Sequence, residues 1–212
     1  MIIRDLGKVD YLTGWQEMID FTKKRDQTTE DEFWICEPPP VFTLGTSLKN
    51  SILPIKGIPC INTDRGGKIT YHGPGQLVGY PLIDLRKNDL YPKELLELIN
   101  QMVLSVMRKF GVKGLLVPEA PGIYVSKPGG ANQFFNLAKI CSIGLKISNH
   151  CSYHGFALNV SANLEPFSYI TPCGYEGLRV ANLNEFAQNA TLESTKRVLV
   201  EIIKEQFSEK RN

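Results

Sequence analysis

The stretch Arg65-Gly-Gly-Lys-Ile-Thr-Tyr-His72-Gly-Pro-Gly-Gln-Leu-Val-Gly-Tyr-Pro81 is the most informative part of this 212-residue chain. Glycine is favoured where the backbone takes a positive φ or lies against another group, so Gly66-Gly67 and Gly73-Pro74-Gly75 predict two tight turns. Between the turns, Ile69-Thr70-Tyr71 predicts a short strand. We expect the turns to leave bare backbone N–H groups beside Arg65 and His72, as a polar binding site requires. A glycine-rich hairpin without a site is the alternative.

Composition limits the protein classes to which the chain can belong. Hydrophobic residues make up 42% and charged residues 22%, as in soluble globular proteins. The formal net charge of +2 gives no reason to expect nucleic acid as a partner. No apolar run is long enough to span a membrane, and the N-terminus looks like neither a signal peptide nor a transit peptide. The five cysteines include no CxxC pair, so we expect free thiols, no metal site and a cytoplasmic protein.

Hydrophobic spacing predicts more strands than helices. Apolar positions at helical spacing predict a helix around Leu12–Thr22, a second over Pro92–Phe110 and a third from Leu192. Short β-type runs separate these segments without regular alternation, which favours an α+β fold with a mixed β-sheet and flanking helices over a doubly wound sheet. No linker divides the chain, so we expect one domain over residues 1–212.

A strand predicted over Leu137–Ile147 contains an unusual lysine. With a period of two, Lys139 shares a face with Cys141 and several aliphatic residues, whereas Lys146 lies on the opposite face. An inward lysine is costly unless it is paired or neutral, which makes Lys139 a candidate catalytic residue. The alternative is that its ammonium reaches solvent at the strand end.

Cys173 is the best candidate nucleophile among the five thiols. Most cysteines are small buried hydrophobic residues, and Cys36 and Cys60 fit that description within apolar runs. Cys173 lies instead in Thr171-Pro-Cys-Gly-Tyr175, where turn residues favour an accessible sulfur.

Four blocks of the chain together resemble the lipoyl (octanoyl) transferases, the LipB family. The first is Arg65-Gly-Gly-x-x-Thr-Tyr-His-Gly-Pro-Gly-Gln76, and the second is Ala138-Lys-Ile-Cys-Ser-Ile-Gly144. Ser152-Tyr-His-Gly-Phe-Ala-Leu-Asn159 and Pro172-Cys-Gly-Tyr175 complete the set in the family's order. The chain departs from the family in having Pro38 directly after Glu37, which could alter one wall of the site, and in a longer segment over 127–137.

The resemblance implies a fold like that of the biotin and lipoate protein ligases, with no cofactor. It implies that an octanoyl group passes from acyl carrier protein to a lysine of a lipoyl domain, either of a 2-oxoacid dehydrogenase or of the glycine cleavage H protein. Such a transfer is the first step of endogenous protein lipoylation, and we expect the enzyme to be a monomer. Cys173 would form a thioester acyl-enzyme, with Lys139 as acid and base and His154 as a possible supporting residue. The substrate-binding residues implied are Arg65, Gly66, Gly67, Lys68, Ile69, Thr70, Tyr71, His72, Ser142, Ile143, Gly144, Gly155, Phe156 and Ala157.

Three other functions remain open on the sequence. A lipoate ligase would activate a free acid with ATP and would use a lysine but no acyl-accepting cysteine. A cysteine hydrolase would pair Cys173 with His72 or His154 and pass the acyl group to water. A non-catalytic protein that binds acyl carriers or lipoyl domains would not need Cys173 at all.

Overall fold

A computed structural model describes residues 1–48, 54–129, 134–171 and 174–208 of the chain. Its three α-helices are α1 (Tyr11–Lys24), α2 (Pro92–Lys109) and α3 (Leu192–Ser208). The strands are β1 (Ile2–Lys8), β2 (Glu32–Glu37), β3 (Val41–Leu44), β4 (Cys60–Asn62), β5 (Ile69–His72), β6 (Gln76–Leu82), β7 (Leu115–Val117), β8 (Ala120–Ser126), β9 (Leu137–Ser148), β10 (Cys151–Asn159) and β11 (Arg179–Val180).

The larger of two sheets has the strand order β1-β2-β6-β10-β9-β8-β7, with β11 beside β9. β1 pairs with β2 in parallel and β11 pairs with β9 in parallel, while the other neighbours are antiparallel. The second sheet has the order β4-β3-β5. The predicted α+β fold with a mixed sheet and flanking helices is therefore confirmed.

Helices cover both faces of the larger sheet because its central strands are apolar on both sides. β2, β6 and β10 direct alternate side chains to α2 and α3 on one face and to α1 on the other. Phe33 belongs to the first core and Trp34 to the second, as the two-residue period of a strand requires. Among the described residues, no helix combines the length and apolarity needed to cross a bilayer.

The helix ends follow their local sequence. The Asp10 side chain accepts the Thr13 N–H at 3.2 Å and caps the start of α1. Proline opens α2, and the carboxylate of Glu94 accepts the Tyr91 N–H at 2.7 Å. Basic residues occupy the last turn of both helices, where they favour the negative end of the helix dipole.

The prediction that Lys139 and Cys141 share one face of β9 is wrong. Cys141 lies opposite Ile123 of β8, but Lys139 lies opposite Tyr124, so one extra residue is inserted in β9 between these pairs. Such a bulge reverses the alternation of side chains. Cys141 therefore joins the core under α2 and α3, whereas Lys139 lies on the same side as Tyr124.

Candidate functional site

A cavity of about 580 Å³ lies where the Arg65–Lys68 turn, β9, β10 and the β7–β8 hairpin meet. It contains thirteen of the fourteen substrate-binding residues implied by the resemblance, together with Lys139 and His154. The thirteen residues are Arg65, Gly66, Gly67, Lys68, Ile69, Thr70, His72, Ser142, Ile143, Gly144, Gly155, Phe156 and Ala157.

The remaining residue of that set, Tyr71, is absent from the cavity wall. Its ring lies 5.5 Å from the rings of both Phe42 and Phe167, in a separate apolar cluster behind β5. Adjacent side chains of a strand point to opposite faces, so Thr70 and His72 line the cavity while Tyr71 packs behind it. Tyr71 therefore supports the strand that carries the lining residues.

Arg65 holds the glycine-rich turn together. Its guanidinium is buried and donates hydrogen bonds to the Thr43 carbonyl at 2.6 Å, the Gly66 carbonyl at 2.9 Å and the Lys68 carbonyl at 2.8 Å. Because several of its fixed N–H donors serve backbone carbonyls, the side chain shapes this wall of the cavity.

The expectation of bare N–H groups in the two turns is wrong at two positions. The Gly66 N–H donates to the Leu145 carbonyl at 2.9 Å, which fastens the turn to β9. The Gly75 N–H donates to the carboxylate of Glu37 at 2.8 Å. Buried backbone donors are nearly always satisfied, and here the partners come from elsewhere in the fold. Neither Glu37 nor Pro38 lines the cavity, so the sequence departure at that point lies outside its wall.

Lys139 is an inward-facing lysine at the hairpin side of the cavity. The residue is 2% exposed, which excludes the alternative that its ammonium reaches solvent. Its Nζ donates to the Pro121 carbonyl at 2.6 Å and lies 5.5 Å from the centre of the Tyr124 ring. A Cβ at Gly122 would lie 2.5 Å from Lys139 Cε, so this glycine provides the space that the lysine side chain fills.

Cys173, the predicted nucleophile, lies outside the described residues, but its surroundings are partly described. Gly174 donates its backbone N–H to the Thr171 carbonyl at 3.0 Å, which joins the chain on the two sides of Cys173. Tyr175 lines the cavity, and its hydroxyl donates to the Glu119 carbonyl at 3.1 Å. Tyr175, two residues after Cys173, therefore borders the same cavity as Lys139.

A carboxylate that the sequence analysis missed fixes the orientation of His154. Asp64 accepts hydrogen bonds from His154 Nε2 at 2.8 Å, from Trp15 Nε1 at 2.9 Å and from the Tyr153 hydroxyl. Although partial burial raises the pKa of Asp64, the donors from His154 and Tyr153 lower it to about 2. With a proton on Nε2, Nδ1 of His154 is the acceptor that faces the Tyr11 hydroxyl at 3.4 Å.

Both cavity histidines are neutral at pH 7. Burial and the charge of Arg65 lower the pKa of His72 to about 3. Burial also lowers the pKa of His154, and this effect outweighs the opposing effect of Asp64. The His72 ring stacks on Tyr11 at 5.4 Å, and neither of its ring nitrogens has a hydrogen-bond partner of normal geometry within the described chain, although Gln76 lies close to it. His72 therefore has one donor and one acceptor available for a bound molecule.

Sequence reasoning missed several lining residues because no local pattern marks them. Val78 and Tyr80 belong to an ordinary apolar strand, Tyr11 opens a helix, and Glu119 lies in a turn. Asp64 had one available signal, its position directly before the glycine-rich stretch. The described residues bring no three His, Cys, Asp or Glu side chains into an arrangement that could hold a metal ion.

Comparison with known proteins places this arrangement within a family. Residues 10–204 match the lipoyl protein ligase A/B catalytic domain. The chain is 43% identical over 209 residues to the octanoyltransferase of Polynucleobacter asymbioticus, with 98% of each chain covered. It is 46% identical over 193 residues to the octanoyltransferase of Laribacter hongkongensis, covering 91% of this chain and 88% of the relative.

Solved structures with the same fold are much more distant in sequence. A bi-partite lipoate protein ligase from Thermoplasma acidophilum is 14% identical and has a TM-score of 0.68, with 98% of this chain and 84% of that chain covered. A biotin protein ligase from Aquifex aeolicus is 11% identical and has a TM-score of 0.56, with coverage of 98% and 71%. At these identities the likeness establishes the fold alone. The higher identity to the two octanoyltransferases and the match to the catalytic domain show that this chain belongs to the octanoyltransferase family and is an acyltransferase.

Proposed function

We propose that this protein transfers an octanoyl group from acyl carrier protein to a lysine of a lipoyl domain, by way of a thioester on Cys173. The observation that carries the proposal is the buried Lys139, which lines a largely apolar cavity that Tyr175, two residues after Cys173, also borders. The 41–47% identity to octanoyltransferases supports the acyl group. We further propose that the enzyme is a single-domain monomer of the cytoplasm and carries out the first step of endogenous lipoylation.

In the first half-reaction, the Cys173 thiolate attacks the carbonyl carbon of the donor thioester. A new carbon–sulfur bond forms, the old one breaks, and the carrier thiolate leaves. A nearby cation favours a thiolate over a thiol, and the buried ammonium of Lys139 is suited to this role. Lys139 then gives a proton to the departing carrier thiolate.

In the second half-reaction, the acceptor amine attacks the thioester on Cys173. The amide bond forms, the carbon–sulfur bond breaks and Cys173 leaves as a thiolate. The proton lost by the attacking amine passes to Lys139 and restores its ammonium. The structural neighbour from Thermoplasma acidophilum is described together with its E2 lipoyl domain, which supports a lipoyl domain as the class of acceptor. We propose the lipoyl domains of 2-oxoacid dehydrogenases or the glycine cleavage H protein as that acceptor.

The cavity wall suits an aliphatic chain. Val78, Ile143, Phe156 and Ala157 supply apolar surface, and the volume of about 580 Å³ lies in the range of small-molecule sites. Burial of an alkyl chain is worth about 0.8 kcal/mol for each CH₂ group, before the cost of immobilising the chain. The acyl chain thus contributes binding free energy, while Cys173 and Lys139 carry the chemistry.

Intact mass spectrometry tests the covalent intermediate. The protein is incubated with octanoyl-acyl carrier protein alone, and a lipoyl domain is added afterwards. We expect wild type to gain one octanoyl group and to lose it to the lipoyl domain. Cys173→Ser should give no adduct, and Lys139→Ala should form it at least tenfold more slowly, because about 1.4 kcal/mol of transition-state stabilisation corresponds to a factor of ten.

Cys60→Ser is the matched control, since Cys60 is a partly exposed thiol away from the cavity and should acylate like wild type. Octanoylation that requires ATP and free octanoate, without any adduct, would show that the protein is a ligase. An adduct that water discharges as fast as the lipoyl domain does would show a hydrolase.

A further inference from the structure

Glu119 occupies a strained position at the tip of the β7–β8 hairpin. β7 ends at Val117 and β8 begins at Ala120, and Glu119 between them has a φ of +62°. A left-handed backbone is uncommon for a residue other than glycine, asparagine or aspartate, and such strain concentrates at functional sites. Glu119 is exposed and lies in the cavity wall.

The hairpin contacts Lys139 and a residue that follows Cys173 closely in sequence. The backbone carbonyl of Glu119 accepts a hydrogen bond from the hydroxyl of Tyr175, two residues after Cys173. Two residues further along the hairpin, the Pro121 carbonyl accepts the hydrogen bond from Lys139. These two bonds fix the backbone of the hairpin tip relative to Lys139 and Tyr175.

Within the described part of the chain, Glu119 is the one carboxylate residue in the cavity wall. The other charged lining residues are the cations Arg65, Lys68 and Lys139, while the low pKa values of the two histidines keep them neutral. The Glu119 carboxylate has no ion pair or hydrogen bond with any residue of 1–48, 54–129, 134–171 or 174–208. The lining cations Arg65, Lys68 and Lys139 repel a second cation, and Glu119 is the carboxylate among the described lining residues that attracts one.

The acceptor proposed above approaches as a cation, because a lysine amine in water is protonated at neutral pH. We propose that Glu119 is the acceptor-binding residue, whose carboxylate pairs with the ammonium of the incoming lysine at the entrance to the cavity. Glu119 exchanges no proton and forms no covalent bond in this role. The bound ammonium gives one proton to solvent before the free amine attacks the thioester. The inference rests on the proposed function, since it assigns the recognition of the amine substrate to a residue of the same site.

The test separates the two half-reactions. Wild type, Glu119→Gln and Glu119→Asn are acylated with octanoyl-acyl carrier protein, and transfer is then followed against lipoyl-domain concentration at low and high salt. We expect both variants to raise the acceptor KM about fivefold at low salt, the effect of losing one rim ion pair, while kcat and the acylation rate stay within about twofold. The difference in acceptor KM between wild type and variants should be smaller at high salt, because dissolved ions screen an exposed ion pair.

Two further variants sharpen the comparison. Glu119→Asp keeps the charge and tolerates a left-handed backbone, so it should recover most of the acceptor affinity. Glu176→Gln removes an exposed carboxylate from the loop after Cys173 that does not line the cavity, and it should behave as wild type. Glu119→Asn keeps the test decisive if Glu119→Gln folds poorly, since asparagine also suits a left-handed backbone.

An acceptor KM unchanged in Glu119→Gln and Glu119→Asn would overturn the inference. A parallel slowing of acylation would also overturn it, because Glu119 would then act on Lys139 or Cys173. Wild type that forms no acyl-enzyme or transfers to no lysine would refute the proposed function as well, and that failure is visible without any Glu119 variant.

Discussion

Asp64 connects three side chains that come from distant parts of the sequence. Trp15 lies on α1, and Tyr153 and His154 lie on β10, yet all three donate to one carboxylate. His154 has a φ of +57°, an uncommon backbone for a histidine, and the hydrogen bond to Asp64 helps to hold it there. The carboxylate therefore determines both the position of the ring in the cavity and the nitrogen that carries its proton.

Asp64→Asn should destabilise the protein and lower its activity. The amide has almost the same shape, but only its oxygen can accept, and hydrogen bonds to a charged acceptor are worth about 1.5–3 kcal/mol. Because the side chain is 32% exposed, we expect a loss of about 2 kcal/mol in the free energy of unfolding, measured with urea. Asp20→Asn is the control, since Asp20 accepts one exposed hydrogen bond from Gln16. Equal stability of the two variants would show that the three hydrogen bonds to Asp64 stabilise the protein no more than one exposed hydrogen bond does.

At the scale of an element, β9 shows where sequence periodicity predicted a buried lysine correctly but for an incorrect reason. The alternation over Leu137–Ile147 singled out Lys139, which is indeed buried. The reason given, a face shared with Cys141, is wrong because one extra residue shifts the register with β8. A bulge depends on the partner strand and on nearby turns, and the sequence of the bulged strand alone does not reveal it.

β9 also positions the glycine-rich turn through a residue with no side chain. A Cβ at Gly144 would lie 2.9 Å from the Gly66 carbonyl oxygen and 3.4 Å from Arg65 Cδ. The Gly144 backbone faces Gly155 of β10, and both glycines line the cavity. Close approach of two backbones is a recurring reason for glycine inside a strand.

Gly144→Ala should therefore displace the Arg65–Lys68 turn and lower transfer activity by at least tenfold, with a loss of about 1–3 kcal/mol in stability. Gly14→Ala is a matched control within α1, where the added Cβ would meet Val9 at 3.6 Å, an ordinary contact. That substitution should raise stability by about 0.5–1 kcal/mol, because alanine has the higher helix propensity. Steady-state rates and urea unfolding measure both. Full activity in Gly144→Ala would show that the turn does not depend on this contact.

Over the whole molecule, sequence patterns predicted those features that depend on a single helix, strand or turn. The three helices, the strand between the two glycine turns and the α+β class follow from periodicity and turn residues that act within a few positions. Tyr11, Asp64 and Glu119 could not be found in this way. Tyr11 and Glu119 reach the cavity, and Asp64 reaches His154, only through contacts between separate elements. Tyr71 faces away from the cavity because adjacent side chains of β5 point to opposite faces, and the motif alone does not show which face lies against the cavity.

The burial of two neutral histidines makes the stability of the folded protein depend on pH. A histidine whose pKa is lower in the folded state than in the unfolded state binds fewer protons when the chain is folded. Its contribution to stability is therefore complete above the unfolded pKa of about 6.5 and is lost as the pH falls below that pKa. The pKa of His72 is lowered to about 3, mainly by burial, so its loss continues across the whole range from pH 6.5 to pH 4.5. Within that range Asp64 stays ionised, because its pKa is about 2.

We therefore expect the burial of His72 to make the free energy of unfolding fall by up to about 1.4 kcal/mol per pH unit between pH 6.5 and pH 4.5. The burial of His154 acts in the same direction. In His72→Gln that slope should decrease by about this amount, because glutamine does not titrate. His150→Gln is the control, since that ring is exposed in the folded chain and in the unfolded one. Urea unfolding at half-unit intervals of pH measures the slopes. The same slope in wild type and His72→Gln would mean that His72 is accessible to protons in the folded state, and the cavity would then have to be open to water beside Tyr11.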